Sequence, residues 1–154
     1  MQHLKNLLKT EMIADGISLS FNIIFIFPIV MFGLTRDIWW LWFFGMLMLC
    51  IIGVQIIKQY FGKDFGRPPH AEKCDLFCQG GRVGGEPAFP SGHMATTTTF
   101  VILLWLHYRQ AYILWLGIPW IVAMAWSRWS KQCHSIDQII AGVITGSVFS
   151  YIIY

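Results

Sequence analysis

Charged side chains are scarce in this chain and acidic ones scarcer: 11 Lys+Arg and 8 Asp+Glu among 154 residues, 12% in all. They are missing altogether from five runs, 16–35, 38–57, 87–108, 110–127 and 138–154. With 56% apolar residues, 16% aromatics and mean hydropathy +0.56, so little charge excludes a disordered chain and an ordinary soluble domain. The net charge of +3 is too small and too dispersed for a nucleic-acid module, although it suits anionic headgroups. A small-x-small cleavage site is missing after the first run, and that run is too long for a signal-peptide core, so it is expected to be retained.

What remains is a membrane pattern. A bilayer takes about 20 apolar residues per helix, so the five runs read as five crossings of a polytopic all-α bundle in one domain, residues 1–154. Residues 1–15 place Leu4, Leu7, Leu8 and Met12 at helical spacing between Lys5, Lys9 and Glu11, the pattern of an interfacial helix or of a frayed terminus. The crossings are expected at Ile17–Leu34, Ile38–Ile57, Ser91–Tyr108, Ala111–Trp126 and from Ile136 onward. Trp39, Trp40 and Trp42 cluster as an interfacial belt would. Ser135 followed by Gln138 has the capping-box spacing. Gly142-x3-Gly146 marks a close helix contact, either internal packing or a seam for a second copy of the chain.

Residues 58–90 form the one long polar segment, rich in glycine and carrying four prolines. Such a segment in a small protein is expected to be functional. Counting crossings puts the end of the second, the start of the third, the end of the fourth and the start of the fifth at one membrane face. Lys58, Arg67-Pro68, Pro90-Ser91-Gly92-His93, Ser127-Arg128, His134 and Asp137 all fall there. Taken singly, the cations are ordinary helix-end anchors, Ser91 a helix cap and Asp137 a dipole partner. Three cations, two imidazoles and a carboxylate drawn together from four helix ends point instead to turnover of a phosphate.

Pro90-Ser91-Gly92-His93, with Ser127-Arg128-x5-His134 about 35 residues later, resembles the second and third signature motifs of the type 2 phosphatidic acid phosphatase superfamily of membrane lipid phosphatases. Two departures stand out. The family's first motif is Lys-x6-Arg-Pro, whereas Lys58 and Arg67 here have eight residues between them, which leaves Lys63 as an alternative lysine. The third motif closes as His-x3-Asp in the family, but Gln138 stands there and the carboxylate comes one position early at Asp137. A related branch acting on dolichyl diphosphate is similar in having that glutamine.

The resemblance implies six crossings, one more than counted, and hydrolysis of a lipid phosphate or diphosphate monoester without metal or other cofactor. Candidate substrates are phosphatidate, phosphatidylglycerol phosphate and polyprenyl diphosphate. It implies that His134 attacks phosphorus, that His93 protonates the leaving oxygen and later activates water, and that Asp137 or Gln138 orients His134. Lys58, Arg67, Ser91, Gly92 and Arg128 would bind phosphate, the backbone N–H groups of Ser91-Gly92-His93 adding a helix-dipole end. A lipid phosphotransferase using the same site and a non-catalytic protein with a degraded site are the alternatives. A transporter is disfavoured because no acidic or basic residue lies within a crossing.

The cysteines leave the compartment open: Cys74 and Cys78 share a loop and can bridge in an oxidising lumen, and His70, Cys74 and Cys78 can instead join Cys133 or His134 around a metal. Glu72, Asp75 and Glu86 read as solvated, with Glu86 near enough to Pro90 to influence the site. The membrane face is ambiguous: nine Lys+Arg lie on the site side and two, Arg36 and Arg109, on the other, but three of the nine are candidate ligands.

Overall fold

The computed structural model describes the backbone of residues 2–61 and 65–154, with side chains from Lys9 onward. Lys63, and the side chains of Leu4, Lys5, Leu7 and Leu8, lie outside the described residues. Among the described residues six α-helices follow one another: α1 Gln2–Leu19, α2 Ile23–Thr35, α3 Trp39–Phe61, α4 Gly92–Tyr108, α5 Ala111–Ser130 and α6 Ile136–Ile153. No strand occurs among the described residues; the long loop has two isolated bridges, Gly66 to Pro87 and Glu72 to Arg82.

The expected break after residue 15 is absent. α1 runs through it, and the chain only tightens into a 3-10 turn at Ser20–Asn22 before α2 continues. Lys9–Thr35, Trp39–Phe61 and Ile136–Ile153 are long and apolar enough to cross a membrane. α4 and α5 are not among these stretches. At 17 residues, α4 spans about 25 Å, short of a hydrocarbon core of about 30 Å.

α4 is the hub, packed against α3, α5 and α6. Every residue from His93 to Val101 is buried, including Thr96, Thr97, Thr98 and Thr99. Its contact with α6 runs along Gly142 and Gly146: a Cβ on Gly142 would sit 2.6 Å from the Ser91 carbonyl oxygen, and one on Gly146 would strike the Ala95 backbone. The glycine pair is therefore buried inside the bundle, against the start of α4.

The loop after α3 is pinned at several points. Gly66 approaches Gly85 so closely that a Cβ would lie 2.9 Å from its carbonyl oxygen. Asn22 Nδ2 donates to Leu76 O at 3.1 Å, tying the loop to the 3-10 turn. Cys74 is bonded to Cys133, with Cα atoms 5.6 Å apart, and Cys78 is free. This corrects both expectations for these cysteines: Cys78 is not the partner of Cys74, and a disulfide sulfur pair has no thiolates to offer a metal.

Candidate functional site

A cavity of about 290 Å³ opens where α3, α4, the long loop and the turn before α6 meet. Lys58, Arg67, Gly92, His93 and His134 line it, so four separated sequence segments supply one site. α3 delivers Lys58 from its last turn. A Cβ on Gly92 would stand 3.8 Å from Lys58 Nζ, so the ammonium lies against the first residue of α4. Phe21, Phe25, Ile51 and Val54 form an apolar flank.

His134 is placed by a compact turn. α5 continues four residues past its expected end, so Arg128 is in its last turn; Gln132, at φ 54°, then reverses the chain. The Cys133 and His134 N–H groups both donate to Arg128 O, at 3.0 and 3.3 Å. Arg67 Nη1 reaches in from the loop and donates to Cys133 O at 3.1 Å. The fixed spacing from Arg128 to His134 is the length of this turn.

Gln138, not Asp137, orients the ring. The Gln138 Nε2 amide donates to Phe65 O at 3.2 Å and Gly66 O at 3.0 Å, which forces its oxygen toward His134. That oxygen accepts from Ser135 N at 3.2 Å, the return arm of a capping box, and lies 3.1 Å from His134 Nδ1. Because Oε1 can only accept, Nδ1 carries the proton and Nε2 keeps its lone pair. Asp137, one position early on the helix, is exposed and makes none of these bonds. Burial holds the His134 imidazole well below its usual pKa, with Arg67, Lys58 and Arg128 adding to the effect and the Gln138 bond opposing it.

Among the described residues none of Lys58, Arg67 and Arg128 forms an ion pair. Among the described residues the ion pair is Lys131 with Asp15, at 2.6 Å. Arg128 is fully buried; its Nη2 donates to Cys133 Sγ at 3.0 Å, while Nε and Nη1 have no partner. Arg67 Nε is also buried and unpartnered, and burial lowers its pKa, partly offset by Glu86. Ser91 Oγ and His93 Nε2 are buried without partners too. Unmet polar groups of this kind each cost about 1–3 kcal/mol, more when charged, and an oxyanion within hydrogen-bond reach of such a donor removes its penalty. Of the three expected N–H donors at the start of α4, the Ser91 group is already committed to Gln138 O, at 3.0 Å. Neither Ser91 nor Arg128 appears on the cavity wall itself; both are buried, Ser91 next to the wall residue Gly92 and Arg128 behind the turn that carries His134.

Sequence reasoning missed Phe21, Phe25 and Asp75. Asp75 lines the cavity, its Oδ1 accepting from Phe77 N at 3.1 Å and Gln79 N at 2.8 Å. An acidic residue three positions before a cysteine carries no signal, and an apolar residue in an apolar run carries none either.

No curated protein and no solved structure matches the chain. The PAP2 superfamily matches residues 39–154, which takes in Lys58, Arg67, both histidines and the whole of α3 to α6, and the chain belongs to that superfamily.

Proposed function

We propose that this protein is a membrane lipid phosphatase that cleaves a phosphate or diphosphate monoester through a phosphohistidine on His134. The observation that carries the reading is the convergence of Lys58 and Arg67 on the cavity wall, with Arg128 buried close enough to act on His134, none of the three ion-paired among the described residues, beside an imidazole whose Nδ1 proton is fixed by Gln138. Like charges crowded in a partly dry cavity repel one another, and a phosphate dianion converts that repulsion into binding. Arg67 and Arg128 offer planar forks for the equatorial oxygens, and Lys58 a point charge beside the α4 start.

His134 Nε2 attacks phosphorus, the bond to the lipid oxygen breaks, and that oxygen takes a proton from His93. Neutral His93 then removes a proton from water as its oxygen attacks the phosphohistidine, and the phosphorus–nitrogen pair returns to Nε2. None of these steps calls for a metal. On the apolar flank, Phe25, Ile51 and Val54 give the lipid tail a route from the bilayer to the cage. In this reading α4 and α5 also cross, making five passes, with α4 shielded by its neighbours.

The Cys74–Cys133 bond supports placing the site face in an oxidising compartment, because disulfides rarely persist in a reducing cytosol. Phosphate binding accounts for three of the nine cations on that face and leaves six against two, so the charge rule and the disulfide point opposite ways, and the reading follows the covalent bond.

The test is phosphate release from phosphatidate, phosphatidylglycerol phosphate and polyprenyl diphosphate with chelator present, by the parent, His134→Ala and His93→Ala. Chelator should be harmless, vanadate inhibitory and His134→Ala inactive. An acid-labile phosphoenzyme persisting in His134→Ala would reject the assigned nucleophile.

A further inference from the structure

The two histidines are held by different means. His134 is fixed by a hydrogen bond to Gln138, whereas neither ring nitrogen of His93 has a hydrogen-bond partner among the described residues. An imidazole torsion is broad when nothing holds it. What meets the His93 ring is Phe21, with ring centroids 4.2 Å apart and planes inclined by 34°.

Phe21 sits in the 3-10 turn Ser20–Asn22, is only 3% exposed, and is backed edge-on by Phe25 at 5.4 Å. The turn is anchored on both sides. Ser20 Oγ accepts from Trp120 Nε1 of α5 at 2.8 Å, and Asn22 Nδ2 donates to Leu76 O of the loop at 3.1 Å. Residue 21 also lies outside the 39–154 segment that the family covers, so the family match assigns it no role.

We propose that Phe21 is a positioning residue for His93, clamping the plane of the imidazole and stabilising, through its π face, the imidazolium that protonates the leaving lipid oxygen. The inference rests on the reading of His134 and His93 given above. A cation within about 6 Å of a phenyl centroid is attracted by the ring quadrupole, most strongly where water is excluded. An alkyl lipid oxygen departs poorly without a proton, whereas a nitrophenolate departs without one. The influence of Phe21 on phosphoenzyme formation therefore depends on the leaving group. Hydrolysis of the phosphoenzyme, in which His93 takes a proton from water, depends on Phe21 for either substrate.

The experiment compares the full-length parent, Phe21→Leu and Phe21→Tyr in detergent micelles, with phosphatidate and with p-nitrophenyl phosphate. Phosphoenzyme formation is followed in a single turnover, and vanadate inhibition reports whether the cage is intact. Phe21→Leu should phosphorylate about tenfold more slowly from phosphatidate but within about twofold of the parent from p-nitrophenyl phosphate, with vanadate inhibition within about twofold. Phe21→Tyr, which keeps the ring, should recover most of the rate. Equal slowing on both substrates, no slowing on phosphatidate, or no recovery in Phe21→Tyr overturns the inference. A parent that forms no phosphoenzyme at all refutes the proposed function instead, and the inference with it.

Discussion

Replacing Gln138 by leucine tests the assignment of the orienting residue, because the amide is buried and every polar atom it uses is known. Four bonds disappear: Nε2 to Phe65 O and to Gly66 O, and Oε1 from Ser135 N and His134 Nδ1. At about 1 kcal/mol net each, stability falls by about 3–4 kcal/mol. The catalytic effect divides into two parts. One bond of about 1 kcal/mol biases the imidazole tautomer by about fivefold. The larger part is alignment, since displacement of a reacting atom by about 1 Å can lower a rate by about 10². Gln138→Leu should therefore lose about 10²-fold in kcat, measured as phosphate release in micelles at a temperature where tryptophan fluorescence shows the variant folded. Asp137→Asn, altering an exposed side chain one position away, should stay within about twofold of the parent. A folded Gln138→Leu with more than half the parental kcat, or an Asp137→Asn as impaired as Gln138→Leu, would refute the reasoning.

The lowered pKa of His134 places the acid limb of kcat/KM below 6.5, and Arg67→Gln, which removes a neighbouring cation, should move that limb upward; pH profiles of both proteins check this. The same shift means the native ring binds fewer protons than the unfolded one, so its contribution to stability is present above pH 6.5 and is lost as pH falls from there toward the native value. A disulfide closing a loop with a sequence separation of 59 stabilises by up to about 4 kcal/mol. Cys74→Ser should melt earlier, and in the parent maleimide should label Cys78 without reductant but Cys74 and Cys133 only after reduction. Gly146→Val drives a branched side chain into the Ala95 backbone, and about 1–3 kcal/mol of lost stability is expected in a thermal melt.

The helices were legible because each follows from local physics. An apolar run bounded by charge has one low-energy state in a bilayer, and the observed starts of α3, α4, α5 and α6 each fall within one residue of those expected. The site was legible in part, because Pro90-Ser91-Gly92-His93 and the Arg128 to His134 spacing encode a helix start and a closed turn, which are short-range features. Whether Asp137 or Gln138 faces His134 was not legible: the two are adjacent in sequence, and the choice depends on the carbonyls of Phe65 and Gly66, some 70 positions away, that fix the amide. The partner of Cys74 was hidden for the same reason, since the nearer thiol in sequence is not the nearer one in space. Phe21 shows the limit most plainly. Its apolar run declared a membrane helix, and only the packing of a tightened turn against α4 placed that ring on an imidazole with no hydrogen bond among the described residues.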